Sequence, residues 1–362
     1  MYEGKSVGVV VPCYNEETQI GNVLRTMPDF VDSVIVVDDA SRDRTADAVQ
    51  EFMNKEDPSC RVVLLRQEVN RGAGAAVACG YREALRRGLD VAAVMDGDGQ
   101  MDPGDLHLLV APVARGDADY AKGNRLFYEG AWEMIPKVRY LGNAFLSLLT
   151  KIASGYWHVA DSQTGFVAIS REALETISLD NLYSRFGYPN DMLVRLNVFD
   201  MRVADVHIRP VYNIGEHSKM RLWKVIPTMS WLIFKRFCWR MWHKYVIHDF
   251  HPLVLFYAVS GLLTLASTGL FARLLWKWVA TGRIPPVNAL MWGFCAVSTM
   301  QFCLFAMWFD MERNRDLNAN PPRSRRNPRE GGPAQQPAQS QGPATSASAA
   351  GVDASATGRE QQ

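Results

Sequence analysis

The sequence lacks any regular pairing among its cysteines. None of the six forms a CxxC motif and their intervals are irregular: they are Cys13, Cys60, Cys79, Cys238, Cys295 and Cys303. Zinc-binding modules and disulfide-framed secreted domains need closely and regularly spaced cysteines, so the pattern excludes both classes. Cys295 and Cys303 lie in an apolar segment, where a thiol behaves as a small hydrophobic group.

The sequence also lacks a large excess of charge of either sign. Its 39 Lys and Arg residues nearly balance its 38 Asp and Glu residues, and the formal net charge at pH 7 is +1. Nucleic-acid-binding domains usually carry a clear basic excess, which argues against that function. The N-terminal stretch MYEGKSVGVVVP has no basic region followed by a long apolar run and a cleavage site. We therefore expect no signal peptide and a cytosolic, reduced N-terminal domain.

Short apolar runs alternate with helical patterns through the first half of the chain. The predicted strands are Val7–Val11, Val34–Val37, Val62–Leu65 and Val91–Val94, and the predicted helices are Glu17–Thr26, Asp43–Asn54, Gly74–Arg87 and Pro103–Ala114. Continuous apolar strands separated by helices indicate an α/β fold with a mainly parallel sheet covered on both faces. Ligands of such sheets bind at the carboxyl ends of the strands.

Polar residues follow three of these predicted strands, in the ranges Cys13–Glu16, Asp38–Asp39 and Asp96–Asp102. We expect them to meet at one edge of the sheet. A calcium-binding EF-hand loop that started at Asp96 would need a central glycine and a final glutamate, and this sequence has neither at those positions. Two carboxylates and an amide at alternate positions suit Mg²⁺ or Mn²⁺, which prefer oxygen ligands. A solvated acidic turn is the alternative, and Asp102 followed by Pro103 is typical of a helix start.

A longer helix is predicted over Lys137–Ile152, with Arg139 and Asn143 on its polar side. Its apolar stripe consists of Val138, Leu141, Phe145, Leu148, Leu149 and Ile152. The following segment, Asp161–Ser170, is interpreted as a loop that runs into a further strand.

The composition changes after about residue 220. Leu222–Ile247 is rich in Trp, Phe and Met, and its Arg236, Arg240 and Lys244 recur at a spacing of four residues. A helix with a Trp-containing apolar face opposite a basic face is typical of the membrane interface. The alternative is a buried helix with an exposed charged edge.

Two long runs without a formal charge follow, Leu253–Ala272 and Val287–Phe309, separated by a short turn. Each is long enough to cross a hydrocarbon core of about 30 Å, so they predict a transmembrane hairpin. Two buried helices of a soluble domain are the alternative. More Lys and Arg residues flank the outer ends of the runs than the turn, which places both chain ends in the cytosol. The tail is rich in Pro, Gly, Ser, Ala and Gln, and we expect it to be disordered.

The ordered set VVVPCYNEE, VVDDASRDRT, NRGAGAAV, MDGDGQMDP, KGNR, DSQTGF and GEHSKMR resembles the family 2 glycosyltransferases of GT-A fold. Within that family the chain looks like the polyprenyl-phosphate glycosyltransferases, which include dolichol-phosphate mannose synthase. The resemblance covers about residues 5–220. It implies a GT-A catalytic domain over 1–218. The composition of the remaining chain predicts amphipathic juxtamembrane helices over 219–250, two transmembrane helices within 251–310 (about 253–275 and 287–309) and a disordered cytosolic tail over 311–362.

The resemblance also assigns the donor side of the site. It implies that the nucleotide sugar is contacted by Pro12, Tyr14, Asn15, Glu16, Asp39, Gly72, Gly74 and Asp96. Asp96, Asp98 and Gln100 would hold Mg²⁺ or Mn²⁺ on the donor diphosphate. A G-x-G-x-x-V pattern lacks the third glycine of a dinucleotide-binding loop, so NAD binding is not expected. Ala73 stands where many relatives carry a lysine, so no charged group is assigned there.

The acceptor phosphate and lipid side follows from the same resemblance. The implied residues are Lys122, Arg125, Arg139, Asp161, Gln163, Lys219 and Arg221. Asp98, Arg125 and Arg139 are the expected catalytic residues. A surface cation on its own is more often simply solvated, and only the match to the family pattern favours phosphate binding.

No Ser-His-Asp or Cys-His arrangement is evident in the sequence. A phosphate monoester has a second pKa of about 6, so it is mostly a dianion at neutral pH and attacks without a general base. We therefore predict an inverting transfer of a hexosyl group from GDP-mannose or UDP-glucose to polyprenyl phosphate at the cytosolic membrane face.

Two other functions stay open at this point. The chain could be a membrane glycosyltransferase for another lipid or polysaccharide acceptor, although the Q-x-x-R-W motif of processive synthases is absent. It could also be a non-catalytic nucleotide-binding scaffold. The expected partners are the donor, the lipid acceptor and the bilayer, with no nucleic acid, and a homo-oligomer is possible on sequence grounds.

Overall fold

The computed structural model describes residues 1–57, 60–126, 137–209 and 222–320. Its central feature is a seven-stranded sheet in the order β3-β2-β1-β4-β6-β5-β7. The strands are β1 Val7–Cys13, β2 Ser33–Asp38, β3 Val62–Arg66, β4 Val91–Val94, β5 Tyr120–Asn124, β6 Val167–Ser170 and β7 Val203–His207. Every pair is parallel except those of β6, which runs antiparallel to both β4 and β5. The predicted α/β fold of GT-A type with a mainly parallel sheet is confirmed.

The four helices predicted between the first strands are present, with small shifts at their ends. They are α1 Ile20–Arg25, α2 Thr45–Lys55, α3 Ala73–Arg86 and α4 Leu106–Ala114. Successive β1 residues serve opposite faces: Val9 and Val11 pack into one apolar cluster, and Val10 packs into the other. Because both faces are covered, polar groups concentrate at the strand ends.

Helix α5 spans Lys137–Ser154, followed by α6 Arg171–Thr176 and α7 Tyr188–Val198. The predicted apolar stripe of α5 is present, but Leu141, Phe145 and Leu148 point outward and are 60%, 47% and 52% exposed. The inward face carries Ser147 and Thr150, which are buried. Helical periodicity locates a stripe without revealing which side the rest of the protein occupies.

Helix α8, Leu222–Trp242, continues into a π-helical turn over His243–His248. The interpretation of an outward basic face on this helix is corrected by the structure. Arg240 and Lys244 are buried, and Arg236 is mostly buried. Their partners are carboxylates from distant parts of the chain, namely Asp191, Asp200 and Asp310. The outward face of α8 is instead mainly apolar, with Trp231, Phe234 and Trp242 exposed alongside Lys235.

Two long apolar helices follow, α9 Leu253–Thr281 and α10 Pro286–Arg313. Both are long and apolar enough to cross a membrane by length and composition, and little of either is buried. They pack against each other, with Phe256 of α9 in edge contact with Phe309 of α10. The hairpin suggests membrane association.

The ten residues after 310, which the sequence analysis assigned to a disordered tail, are ordered. Helix α10 continues to Arg313, and the chain then returns to the outer edge of β7. Asn318 forms a β-bridge with Val203, and the backbone amide of Asp205 donates to Asn320 Oδ1 at 2.8 Å. As an edge strand, β7 has backbone N–H and C=O groups without a neighbouring strand, and this return segment pairs with some of them. Residues 321–362 of the predicted tail lie outside the described residues.

Candidate active site

The carboxyl ends of β1, β2 and β4 meet, as the parallel pairing requires. Cys13 stands opposite Asp38, and the backbone amide of Gly97 donates to Pro12 O at 3.3 Å. A Cβ at Gly97 would lie 2.6 Å from Cys13 Sγ, so a side chain there would push the loop away. Glycine at this position therefore lets the loop that carries Asp96 and Asp98 lie against the end of β1.

Carboxylates concentrate at this edge of the sheet. Burial, and then the nearby charge of Asp98, raise the pKa of Asp96 to about 7, while Arg125 acts in the opposite direction. Burial also raises the pKa of the Cys13 thiol, and the charges of Glu16, Asp38, Asp96 and Asp98 add to that effect. Because so much negative charge is gathered here, an anionic diphosphate fits this edge only with a cation beside it.

The predicted metal ligands Asp96, Asp98 and Gln100 follow β4 in one short loop. Asp98 Oδ1 accepts a hydrogen bond from Gln100 N at 3.0 Å, which shapes the turn. Among the residues that the structure describes, no group of three or more His, Cys, Asp or Glu side chains is arranged as a metal site. Two carboxylates and one amide nevertheless suit a cation that completes its coordination with phosphate oxygens and water. The metal set stays a prediction.

The last part of the acidic loop has a structural role. Asp102 Oδ1 accepts from Gly104 N at 2.8 Å and caps the turn that begins at Pro103 and leads into α4. The expectation that Asp102 and Pro103 start the helix is confirmed. Within this loop, Asp102 and Pro103 start the helix, and Asp96, Asp98 and Gln100 remain the predicted metal ligands.

On the predicted donor side, the Tyr14 side chain is 40% exposed directly after β1. Asn15 has a positive φ of 58°, and its side-chain Oδ1 accepts from Arg42 N at 2.8 Å. The backbone amide of Glu16 donates to Thr45 Oγ1 at 2.8 Å. The loop after β1 is thus tied to the loop after β2, which fixes the position of the exposed tyrosine.

Asp39 and the glycine loop form a second connection at this edge. Asp39 is buried, and its two carboxylate oxygens accept from the backbone amides of Arg71 and Gly72, both at 2.8 Å. Gly72 has a φ of +96°, and a Cβ on it would lie 2.7 Å from Ser184 O. A Cβ on Gly74 would collide with Tyr183 O. The structure therefore gives these three residues contacts within the protein, and their approach to a nucleotide stays a prediction.

The predicted acceptor side contains a close ion pair. Arg125, just after β5, donates from Nε to Asp161 Oδ2 at 2.7 Å and from Nη2 to Asp161 Oδ1 at 3.2 Å. Asp161 is completely buried and Arg125 is mostly buried. Burial alone raises the pKa of Asp161, but the charge and hydrogen bonds of Arg125 outweigh it, so the net pKa is lowered.

Lys122 differs from the expectation of direct phosphate contact. It lies on β5 with no exposed surface, and its Nζ donates to Thr164 O at 2.7 Å. Burial lowers its pKa to about 7, opposed by the charges of Asp161 and Asp205. In this arrangement the Lys122 ammonium contacts the loop that follows Asp161, and a direct contact with phosphate stays a prediction.

The loop that carries Asp161 and Gln163 is held from two helices. Ser162 N donates to Ser147 Oγ of α5 at 3.1 Å, and Gln163 Nε2 donates to Asn190 Oδ1 of α7 at 3.0 Å. Thr150 of α5 donates to the same Asn190 oxygen at 2.9 Å. The sequence analysis did not identify Ser147, Thr150 or Asn190. For Ser147 and Thr150 the available signal was their position opposite the apolar stripe of the predicted helix, and for Asn190 the sequence analysis had none.

Tyr188, at the start of α7, is another residue that the sequence analysis missed. Its hydroxyl is buried and has no hydrogen-bond partner among the described residues. A Cβ on Gly165 would lie 2.9 Å from that hydroxyl and 3.4 Å from Asp96 Oδ2, so the two groups flank the same glycine. Burial and the charge of Asp96 raise the pKa of Tyr188. The buried Tyr188 hydroxyl therefore lies close to Asp96, at the edge of the sheet where the carboxylates concentrate.

Three predicted residues are not described at the level of their side chains. The backbone of Arg139 lies in the first turn of α5. Lys219 and Arg221 lie outside the described residues. Their proposed phosphate contacts stay predictions.

The mixed sheet, with an acidic loop after its fourth strand, has the architecture of the GT-A type. The sequence profile of the family described as "Glycosyl transferase family 2" matches residues 8–178. An undecaprenyl-phosphate mannosyltransferase from Micrococcus luteus is 33% identical over 214 residues, which are 58% of this chain and 86% of that protein. The chain belongs to glycosyl transferase family 2 and is an enzyme of that family.

Other relatives differ in the sugar that their names specify. A UDP-N-acetylglucosamine–dolichyl-phosphate N-acetylglucosaminyltransferase from Methanococcus voltae is 29% identical over 227 residues, which are 60% of this chain and 89% of that protein. Among solved structures, glucosyl-3-phosphoglycerate synthase from Mycobacterium tuberculosis in complex with UDP is 20% identical with a TM-score of 0.47. That match covers 66% of this chain and 80% of the other.

Proposed function

We propose that this enzyme transfers a hexosyl group from a nucleotide sugar to polyprenyl phosphate, with Mg²⁺ or Mn²⁺ at the donor diphosphate and inversion of the anomeric centre. The names of the relatives from M. luteus and M. voltae, which specify undecaprenyl-phosphate and dolichyl-phosphate, support this acceptor class. GDP-mannose and UDP-glucose are the favoured donors, and the M. voltae relative adds UDP-N-acetylglucosamine to those that need testing.

The observation that carries this proposal is the position of Arg125 between the two halves of the site. Its guanidinium pairs with Asp161 on the acceptor side at 2.7 Å, and its charge partly opposes the burial that raises the pKa of Asp96 on the donor side. A guanidinium is a rigid fork of donors that matches phosphate oxygens. This arrangement supports a role in which Arg125 holds the acceptor phosphate next to the donor diphosphate, with Asp161 orienting the guanidinium.

The proposed reaction requires neutralisation of negative charge on the phosphates more than it requires proton transfer. The acceptor phosphate already carries the negative charge needed for attack on the anomeric carbon. Asp96, Asp98 and Gln100 would hold a divalent cation, which when bound neutralises the leaving nucleoside diphosphate. Asp39 holds the glycine loop, and the exposed ring of Tyr14 is available for contact with the base. The displacement is in line, so an α-linked donor gives a β-linked lipid product.

The proposed location is an integral membrane protein with the catalytic domain and the tail in the cytosol. The hairpin of α9 and α10 supports the membrane attachment. The excess of Lys and Arg outside the hairpin turn supports the orientation. In that position the lipid phosphate reaches the site from the membrane surface while the soluble donor arrives from the cytosol.

The test uses the full chain in lipid nanodiscs with polyprenyl phosphate and Mg²⁺ or Mn²⁺. GDP-mannose, UDP-glucose and UDP-N-acetylglucosamine are supplied separately, and the lipid is analysed by mass spectrometry and NMR. We expect one donor to give a polyprenyl monophosphate sugar of inverted configuration. Sugar transfer to a lipid hydroxyl, a retained anomer or only free sugar would contradict the proposal.

A further inference from the structure

The turn that carries Arg125 is held by a buried side chain on the neighbouring strand. Asn124, the last residue of β5, has no exposed surface, and its Nδ2 donates to Asp205 Oδ2 of β7 at 2.6 Å. Its Oδ1 accepts from the backbone amide of Leu126 at 3.0 Å. One side-chain amide therefore closes the turn around Arg125 and connects that turn to β7.

Asp205 also faces the other side of the Arg125–Asp161 ion pair. Burial raises the pKa of Asp205 to about 6, and the side chain of Asn124 and the backbone amide of Ala160 act in the opposite direction. An N–H group has this effect when it points at a carboxyl, because it stabilises the charged form. Asn124 directly precedes Arg125, and Ala160 directly precedes Asp161. Asp205 therefore faces the residue that comes before each partner of the ion pair.

The backbone that carries Asp205 is fixed on both edges of β7. On the inner edge β7 pairs in parallel with β5, and Asp205 stands in register with Lys122. On the outer edge the return segment contacts it: Ala319 N donates to Val203 O at 3.0 Å. In the same segment Asn320 Oδ1 accepts from Asp205 N at 2.8 Å. The position of Asp205 is thus set by the fold.

The orientation of Arg125 depends on contacts at both ends of its side chain. Asp161 accepts from the guanidinium, whereas Asn124 holds the backbone from which the side chain starts. An arginine side chain has several rotatable bonds, so the direction of its guanidinium follows the position of its backbone. A displacement of about 1 Å in a group that positions a substrate can lower the rate about 100-fold.

We propose that Asp205 is a positioning residue for sugar transfer, which acts through Asn124 to hold Arg125 in the orientation that binds the acceptor phosphate. Asp205 is itself buried on β7, so it acts on the substrate only through its neighbours. The role of Arg125 in this proposal rests on the proposed function, while the effect of Asp205 on the turn is measured without any reaction.

The first experiment exchanges the two side chains in the full chain, in nanodiscs and above neutral pH. Asn124→Asp alone places two buried carboxylates against each other, where they repel. The double variant Asn124→Asp with Asp205→Asn reverses donor and acceptor and so restores the hydrogen bond. Hydrogen exchange at the Leu126 amide is followed by mass spectrometry. Asp57→Asn is the control, because Asp57 is a buried carboxylate that accepts from backbone amides at the start of β3.

We expect the Leu126 amide to exchange at least about 10-fold faster in Asn124→Asp than in wild type, because the turn opens more often. The double variant should return to within about threefold of the wild-type rate, because the turn is closed again. Asp57→Asn should leave the exchange at Leu126 unchanged. An unchanged rate in Asn124→Asp, or a double variant that exchanges as fast as the single one, would overturn the proposal.

The second experiment measures whether the pair acts through Arg125. In Asn124→Asp we expect the KM for polyprenyl phosphate to rise about 10-fold while the KM for the nucleotide sugar changes little, because only the acceptor side is displaced. The double variant with Asp205→Asn should recover most of that loss. In an Arg125→Lys background the Asn124→Asp change should cost much less, because residues that act through one another are not additive. Equal losses in both backgrounds would contradict the proposal.

Failure of this proposal and failure of the proposed function give different results. If the wild-type chain transfers no sugar to polyprenyl phosphate, the proposed function is wrong, and the exchange at Leu126 still decides whether Asp205 holds the turn. If transfer occurs and Asn124→Asp has the acceptor KM of the wild type, the proposed function stands and the positioning role of Asp205 is wrong.

Discussion

Arg240 and Asp310 form an ion pair in which Nη2 and Oδ2 are 2.8 Å apart and neither side chain is exposed. Arg240 comes from α8 and Asp310 from α10. Tyr245 donates to Asp310 Oδ1 at 2.7 Å, and Arg240 also donates to Asn197 Oδ1 of α7 at 3.1 Å. This pair joins the end of the apolar hairpin to α7 and α8 through buried groups.

Removal of one partner of this pair is expected to destabilise the protein strongly. Asp310→Ala leaves the Arg240 charge buried without its carboxylate, which typically costs about 3–5 kcal/mol. We expect a clear fall in Tm in detergent, measured by tryptophan fluorescence. Asp180→Ala, which breaks the exposed pair with Arg82, is the control and should leave Tm almost unchanged. The double change Arg240→Met with Asp310→Leu should recover much of the loss. Equal Tm values for Asp310→Ala and Asp180→Ala would contradict this account.

Loss of either carboxylate of the predicted metal set should abolish turnover without unfolding the chain. We expect Asp96→Asn and Asp98→Asn to lower kcat by at least about 100-fold, because neutralisation of the leaving group by a metal supplies several kcal/mol. EDTA should stop the wild-type enzyme, and Mn²⁺ or Mg²⁺ should restore it.

The matched control for the metal set is Asp102→Ala in the same loop. Asp102 caps the helix start, so we expect a stability loss of about 1 kcal/mol and near-normal turnover. Activity of Asp96→Asn equal to that of Asp102→Ala, or full wild-type activity in EDTA, would remove the metal from the proposed mechanism.

The planar shape of the Arg125 guanidinium, as well as its charge, should affect turnover of the lipid acceptor. Arg125→Lys keeps the positive charge but loses the two-point contact with Asp161, so we expect kcat/KM for the lipid acceptor to fall about 10- to 100-fold. The KM for the nucleotide sugar should change little. Arg202→Lys is the control, because Arg202 pairs with Asp119 at the surface. A loss confined to the donor KM would place Arg125 on the wrong side of the site.

The hydroxyl of Tyr188 is expected to serve the donor rather than the fold. It has no hydrogen-bond partner among the described residues, so Tyr188→Phe should leave Tm unchanged. We expect the KM for the nucleotide sugar to rise several-fold, because the hydroxyl lies beside the same glycine as Asp96. Tyr120→Phe removes another buried hydroxyl without a described partner and is the control. Identical kinetics of the two variants would assign Tyr188 to the core alone.

Lys122 gives a prediction about pH. In the folded protein burial lowers the pKa of Lys122 from 10.5 to about 7, although Asp161 and Asp205 oppose the change and Arg125 adds to it. Between those two pH values the unfolded chain binds one proton more than the folded chain at this residue. The contribution of Lys122 to stability therefore rises with pH over that window and is least favourable below pH 7.

Lys122→Met removes this titration. We expect the Tm of the variant, relative to wild type, to be highest at or below neutral pH and to decline as the pH is raised toward 10. Parallel Tm curves for wild type and variant across that range would contradict the lowered pKa. Lys55→Met, at an exposed lysine of α2, is the control and should give parallel curves.

Much of the fold followed from local patterns. Val7–Val11 and Val91–Val94 are continuous apolar runs, and only a strand covered on both faces suits them. The acidic loop after β4 was found because carboxylates at a strand end cannot be part of that core. The sequence did not predict that β6 lies antiparallel between β4 and β5, because the direction of a short strand depends on the path of the chain before it.

The sequence by itself determined the first four strands, the two apolar helices of the hairpin and the carboxylates that follow β4, because these depend on hydrophobic periodicity and local order. Only the tertiary structure decided the direction of each helix face. Arg240 looked like an outward cation until Asp310, distant in sequence, was placed beside it. Phe145 belonged to the predicted apolar stripe of α5, and only the structure showed that it is exposed while Ser147 faces the protein. A buried charge is stable only beside its partner, and sequence spacing does not locate partners across the chain.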